Sequence, residues 1–260
     1  MSGKKHHERE LAMDFRKIFN TIPDEFDKHR PRYCDELFAD LIECAQLAPG
    51  KAVLEVGPGT GQATEPILKT GCSYLAIELG ENFTEFMTNK FGGYDNFSIV
   101  NADFETHDFC GEQFDLIYSA AAFQWIPEKI GYPKAFDLLK SGGVLAMFSG
   151  NGGVPDEPQH SQCQEVYQQH FFPEIPYTCK LDYQASDKYG FVELEKRVYH
   201  AYREMNADDF VALRFTSSDH LTLQEPHKSN VFEGLRQVVR NNGDYIKLND
   251  VYTLYLARKP

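Results

Sequence analysis

The sequence predicts an α/β protein built on a doubly wound sheet, mostly parallel, with an antiparallel last strand. Three observations predict it. Strand-like and helix-like patterns alternate four times between residues 51 and 149, and a parallel sheet with helices on both faces is the natural solution for such a chain. The first strand-like run ends in Gly57-Pro58-Gly59-Thr60-Gly61, where glycines let the backbone turn sharply and approach a ligand. Near the end, Val251, Thr253, Tyr255 and Ala257 alternate strictly within Tyr245–Arg258, the mark of a late strand. Two additions are expected around this core. Residues 1–36 form an N-terminal helical lid segment, and the domain of residues 37–260 carries an insertion at about 150–190, after the fifth strand.

The elements follow in order. Leu11, Phe15, Ile18, Phe19 and Ile22 recur at helical spacing, and Pro23 stops that helix or restarts the chain. The helix either packs on the core or roofs a site. Asp35 opens a helix through Leu47, and Pro49-Gly50 turns the chain into the first strand, Lys51–Val56. A helix runs from about Gln62 to Thr70, ended by Gly71, and Pro66 fits only in its first turn. Ser73–Ile77 is the second strand, with Glu78 at its tip. Phe83, Phe86, Met87 and Lys90 mark a helix over Glu81–Phe91, broken by Gly92-Gly93. Phe97–Val100 is the third strand and Phe114–Tyr118 the fourth. A helix spans Glu128–Leu139, and Val144–Ser149 is the fifth strand. Beyond it, Ser161–Phe172 is helical, Pro173–Ser186 irregular and Phe191–Arg203 a strand. Asp208–Phe215 is a short helix, Val231, Leu235, Val238 and Val239 mark another, and a final hairpin-like strand spans Tyr245–Arg258.

Composition narrows the class. The chain has 260 residues, 42% hydrophobic and 25% charged, as an ordinary globular protein does. Lys and Arg total 26 against 39 Asp and Glu, a formal net charge of -13. Such a balance repels phosphate backbones, and no basic patch offsets it, so no nucleic-acid partner is expected. Six cysteines stand at 34, 44, 72, 110, 163 and 179 with no C-x-x-C pair. No metal site is therefore expected, and a reducing compartment, the cytoplasm, is. No apolar leader or membrane-length run is present, so no membrane partner is expected either.

The string Glu55-Val56-Gly57-Pro58-Gly59-Thr60-Gly61 differs from the dinucleotide fingerprint G-x-G-x-x-G. A carboxylate beside a tight glycine turn suits a ligand carrying positive charge. The string resembles motif I, E/D-x-G-x-G-x-G, of the class I S-adenosylmethionine-dependent methyltransferases, whose core is Rossmann-like. Phe26-Asp27-Lys28-His29-Arg30-Pro31-Arg32-Tyr33 resembles the F/Y-D-x-x-R-P-x-Y segment that lies over the cofactor in many small-molecule members. Cys34 departs from that pattern, which often has proline there. Ala122-Phe123-Gln124-Trp125 resembles the A-x-H/Q-W loop of small-molecule enzymes of the type 11/25 kind, including the trans-aconitate methyltransferase group. The N/D-P-P-Y/F string of base and glutamine methyltransferases is replaced by Ser119-Ala120-Ala121-Ala122-Phe123.

In a doubly wound sheet the ligand lies beyond the carboxyl ends of the strands, and the candidate residues fall there. Glu78 stands 21 residues after Gly57, the spacing of an acid that accepts both hydroxyls of a ribose, though it can equally be a solvated strand-end acid. Asp103 can accept from an adenine amino group or cap a short helix, and Phe104 can line the base. The resemblance implies that S-adenosylmethionine, leaving as S-adenosylhomocysteine, is held by Glu55, Gly57, Gly59, Thr60, Gly61, Gln62, Glu78, Leu79, Ala102, Asp103, Phe104, Ser119 and Ala120. In that reading Glu55 neighbours the methionine end, and Arg30 reaches the cofactor carboxylate. Acceptor-side candidates are Tyr33, Phe123, Gln124, Trp125 and Ser218. Trp125 is either a wall of the substrate site or a core residue. Tyr33 and His220 are candidate catalytic groups, and His29 and His220 candidate bases.

The expected function is transfer of a methyl group to a small-molecule acceptor, at oxygen or carbon more than nitrogen, by a monomer or homodimer. Two alternatives stay open. One is methylation of a protein side chain, which an acidic surface permits. The other is a regulatory protein that binds S-adenosylmethionine without transferring its methyl.

Overall fold

A computed structural model describes residues 15–174 and 178–260. Leu11 and the start of the first expected helix lie outside them. Phe15–Thr21 forms a 3-10 turn rather than the tail of a regular α-helix, and Pro23 restarts the chain as the first residue of α1 (Pro23–His29). Its fixed φ and missing N–H suit that position. α2 (Asp35–Ala45) buries Leu37, Phe38 and Leu41 on one face and ends at Gln46 in the left-handed conformation.

The core then runs β1 (Ala52–Val56), α3 (Thr64–Leu68), β2 (Ser73–Glu78), α4 (Glu81–Phe91), β3 (Phe97–Asn101) and β4 (Phe114–Ala120). It continues with α5 (Glu128–Leu138) and β5 (Leu139–Gly150). The strands lie in the order β3-β2-β1-β4-β5, all parallel, as right-handed crossovers require. Several expected boundaries move. α3 is only five residues long, because the glycine turn continues to Gly61 and delays the helix. β5 begins at Leu139, not Val144, with an irregular register around Phe114 and Leu116. Lys140-Ser141-Gly142-Gly143 is a kink inside the strand rather than a helix stop.

The last third of the chain builds the antiparallel side. β6 (Val154–Pro155) and α6 (Gln159–His170) are followed by β7 (Val192–Asn206). α7 (Ala207–Phe215), α8 (Ser218–Leu221), α9 (His227–Asn241) and β8 (Tyr245–Arg258) complete it. β8 lies between β5 and β7, antiparallel to both. β7 and β8 pair along nearly their full length, yet residues 207–241 separate them with three helices, so the expected hairpin is an antiparallel pair with a helical connection.

Two apolar layers cover the sheet. Alternation along β1 sends Val53 to the face packed by Leu37, Leu41, Ile67 and Met87 from α2, α3 and α4, and Leu54 and Val56 to the face packed by Tyr132 and Ala135 of α5. A third cluster joins Cys163 of α6, Phe210 of α7, and Val231 and Leu235 of α9 to Ile246 and Leu248 of β8. The start of β8 lies beyond the carboxyl end of β5, since Gly150 pairs with Tyr252. This cluster is therefore a helical cap over the edge where ligands bind, and among the described residues the 150–190 segment supplies α6 and Phe171 to it. All six cysteines are free thiols. Among the described residues, no helix is long and apolar enough to cross a membrane.

Candidate functional site

A cavity of about 620 Å³ opens over the carboxyl ends of the parallel strands. Its floor begins at the glycine turn. Gly57 has φ +69°, and a Cβ there would lie 2.4 Å from Ala122 Cβ. The turn thus packs directly against the chain leaving β4. Gly61 has φ +82° and faces inward, where a Cβ would meet Phe91 Cε2 of α4 at 2.4 Å. Gly57 and Gly59 both line the cavity, and of the two only Gly59 has room for a Cβ, with Phe26 Cε1 and Gln62 Oε1 at 3.5 and 3.6 Å from it.

Glu78 at the tip of β2 lines the cavity. Its Oε2 accepts from the Gly59 N–H at 3.1 Å and its Oε1 from the Gly80 N–H at 2.8 Å. Burial pushes its carboxyl up to about 7, against the pull of those two donors. Asp103 after β3 also lines the cavity. Its Oδ2 accepts from Arg16 Nη2 at 2.9 Å, and its Oδ1 from the Glu105 N–H at 2.9 Å. Leu79, Ala102, Phe104 and Ala120 line the same end.

The roof is the N-terminal segment, which places Arg16, Phe19, Phe26, Arg30, Pro31 and Tyr33 on the cavity. Its aromatics interlock edge to face: Phe19 with Phe26 at 5.4 Å, Phe26 with Phe83 at 5.3 Å and Phe15 with Trp125 at 5.6 Å. Polar ties hold it down. Asn20 Oδ1 accepts from the Asn82 N–H at 2.8 Å, and Lys90 bridges Asp27 and the Thr60 carbonyl at 2.8 and 2.9 Å. Arg30 donates to the Thr216 carbonyl of the cap at 2.5 Å and lies over the Phe26 ring. Its Nε has no partner among the described residues. Burial, with repulsion from Arg214 and Arg203 added, lowers its pKa to about 10.

The wall opposite Glu78 comes from β5, β8 and the cap: Ser149, Gly150, Asp250, Tyr252, Leu213, Arg214, Ser217 and Ser218. Tyr33 stands against Phe148 and Tyr252, with ring centroids 4.8 and 5.2 Å apart. Burial raises its phenol far above the ordinary range, so Tyr33 stays protonated and can donate a hydrogen bond but cannot act as a base. Gln124 and Trp125 line the cavity, and Gln124 Oε1 accepts from the Tyr183 hydroxyl at 2.8 Å.

Several expected site residues lie elsewhere. Glu55 is fully buried beneath the turn, because it shares the strand face of Val53. Its Oε2 accepts from Thr64 Oγ1 at 2.6 Å and from the Tyr74 hydroxyl at 2.5 Å, and Tyr74 is bonded in turn to Tyr118. Burial pushes its carboxyl up to about 7. Ser119 donates to the Val56 carbonyl at 2.7 Å, tying β4 to β1. Thr60 is buried and accepts from Gln62 Nε2 at 2.5 Å. Phe123 packs in the core with Phe104 and Tyr132. His220 sits in the cap among Tyr167, Phe171 and Phe232, and burial lowers its pKa to about 3, so it is neutral and outside the cavity. His29 pairs with Glu25 within α1 at 3.2 Å. Among the described residues lining the cavity there is no histidine or lysine. Sequence reasoning missed Arg16, Phe26, Tyr183, Arg214, Asp250 and Tyr252. Only Phe26 stood in a quoted string.

A parallel sheet with an antiparallel β8, a glycine turn at the end of β1 and acids at the next two strand tips form the arrangement of the class I S-adenosylmethionine-dependent methyltransferases, which this chain resembles. Residues 54–147 match the family described as a methyltransferase domain, whose cofactor is S-adenosylmethionine. Among solved structures, the chain is similar to phosphoethanolamine N-methyltransferase 2 of Haemonchus contortus in complex with phosphomonomethylethanolamine and S-adenosylhomocysteine. That match has TM-score 0.57 and 16% identity over 96% of this chain and 61% of that one. A candidate type II methyltransferase from Anaeromyxobacter dehalogenans matches with TM-score 0.63 and 17% identity, over 88% and 97%. Among curated proteins, ribosomal RNA small subunit methyltransferase A of Dehalococcoides mccartyi is 40% identical over 63 residues, 24% of this chain and 22% of that protein. The chain thus spans about a fifth of the length of that relative.

Proposed function

We propose that this protein transfers a methyl group from S-adenosylmethionine to a small-molecule acceptor, at oxygen or carbon. The observation that supports this reading is the cavity itself, which runs from Glu78 and Asp103 under the N-terminal roof to the cap. A space of about 620 Å³ is of pocket size for a cofactor with a small second molecule. The residues fit the cofactor: Glu78 would take the ribose diol, Asp103 and Phe104 the adenine, and the Gly59 backbone and Arg30 the methionine moiety. When bound, the cofactor supplies an activated methyl on a sulfonium.

The protein's own part is alignment and exclusion of water. Phe19, Phe26 and Trp125 cover the cavity, and among the described residues lining it the groups able to take a proton are carboxylates and Cys179 rather than histidine or lysine. In this reading residues 1–36 act as the lid and residues 37–260 as the catalytic domain. The roof and cap also argue against a protein side chain or a nucleic acid as acceptor. The ribosomal RNA relatives align over a short segment, and this chain has Ser119-Ala120-Ala121-Ala122 at the tip of β4.

Calorimetric titration with S-adenosylhomocysteine, followed by a methyl-transfer screen of small acids, phenols and amines, tests the reading. Micromolar binding and a methylated small product are expected. Folded protein that binds neither S-adenosylmethionine nor S-adenosylhomocysteine would refute it.

A further inference from the structure

The cavity wall formed by β5, β8 and the cap carries more positive charge than its own acids neutralise. Asp250 is the one carboxylate among the described residues lining that wall. It is already spent on Arg203, with contacts of 2.5 and 3.0 Å. Arg214, from the last turn of α7, lines the cavity and has no carboxylate partner among the described residues. Its Nη1 and Nη2 donate to the carbonyls of Gly152 and Gly153 at 3.0 and 2.6 Å, and the guanidinium lies over the Phe210 ring. Its Nε is buried and without a partner among the described residues. Arg30 is in the same condition on the roof side, and the two cations are close enough to repel one another.

A buried, uncompensated charge is strongly unfavourable. In a chain of net charge -13, two half-buried arginines, each with a buried and unpartnered Nε–H, face one cavity and make a site for anions. The cofactor brings one carboxylate, which accounts for Arg30. Arg214 is left over, flanked by the cavity-lining Ser217 and Ser218.

We propose that the acceptor is a small anion, and that Arg214 holds its oxyanion, a carboxylate or phosphate group, through the Nε–H left unpartnered beside the glycine carbonyls. This rests on the methyltransferase reading and adds the charge class of the acceptor to it. The guanidinium is pre-positioned by its two carbonyl bonds, so little side-chain freedom is lost when the anion docks. Ser217 and Ser218 supply hydroxyls next to it. A neutral or cationic acceptor would leave Arg214 unpaired once the roof is closed.

The test uses the full chain saturated with S-adenosylhomocysteine, so that Arg30 is already occupied. Malonate, benzoate and inorganic phosphate are titrated at constant ionic strength, beside malonamide and benzamide as neutral counterparts. At least one anion is expected to bind saturably and at least tenfold more tightly than the neutral probes, and the carboxylate and phosphate arms show which oxyanion is preferred. Arg214→Gln should weaken that binding at least tenfold while leaving S-adenosylhomocysteine affinity within twofold. Arg214→Lys, which keeps the charge, should retain the preference for anions. A residue that merely braced the Gly152-Gly153 loop would lower the melting temperature without changing the preference for anions over amides. Equal binding of acids and amides, or anion binding indifferent to Arg214→Gln, would overturn the proposal. If Arg214→Gln does not fold, the comparison of acids with amides in the unaltered protein decides alone. Failure to bind S-adenosylhomocysteine at all would instead count against the methyltransferase reading.

Discussion

Two glutamates with similar proton affinity do different work. Glu55 and Glu78 are both buried, and burial raises both carboxyls to about 7. A carboxyl raised in the folded state is stabilising while protonated. Its contribution is complete below the unfolded pKa near 4.5 and is lost as pH rises through about 7. For Glu55 the loss is as much as about 3 kcal/mol, taking about 1.4 kcal/mol per unit. Glu55→Gln should therefore be more stable than the unaltered protein at pH 8 and about equal at pH 5, as read by urea melts at the two pH values. Equal stability at pH 8 would mean that Glu55 is not held as an acid. Glu78 gives the opposite readout in binding. Its ionised form is the better acceptor for a diol, so S-adenosylhomocysteine affinity should fall as pH drops below about 7. Glu78→Ala should cost about 1–3 kcal/mol of that affinity, and an unchanged dissociation constant would remove Glu78 from the ribose site.

Among the elements, the glycine turn separates folding from binding. Gly57 and Gly61 each lack room for a Cβ, whereas Gly59 has ordinary van der Waals space and only its φ of +59° to resist substitution. Gly59→Ala should cost roughly 1–2 kcal/mol of stability from the left-handed backbone and also hinder the cofactor. Gly61→Ala should destabilise further, by forcing Phe91 and Met87 aside. Thermal melts and S-adenosylhomocysteine titration of the two variants check the division, and equal loss of stability would contradict it. This turn was legible in the sequence because its cause is local, as were the tips of β2 and β3. Glu55 was misread as a cavity residue although the alternation of β1 sets it beside Val53, on the core face. Arg214, Asp250 and Tyr252 carried no local signal: they reach the cavity because β8 runs antiparallel and brings its start, with the cap, over the end of β5. His220 looked like a loop base, and only the packing of α6 against α9 shows it to be a core residue.

At the scale of the molecule, roof and cap meet over the cavity. Arg30 bonds the Thr216 carbonyl, and the Tyr252 hydroxyl donates to the Arg32 carbonyl at 3.2 Å. Replacing Asn20 by Ala removes one tie of the roof to α4, the bond its Oδ1 accepts from the Asn82 N–H, without touching the cavity wall. Amide exchange in residues 15–22 should then quicken several-fold while exchange in β1 and β4 stays slow. Uniform change across the sheet would show that the roof and core open as one unit.

β8 has a further consequence, one for synthesis on the ribosome. It is the last strand of this sheet to be made, yet it fills an interior place between β5 and β7. Until residues 245–258 leave the exit tunnel, both neighbours present unpaired edges and the anchor of the roof at Tyr252 does not exist. A nascent chain stalled before residue 245 should stay sensitive to protease, and resistance should arrive in one step once residue 258 has emerged.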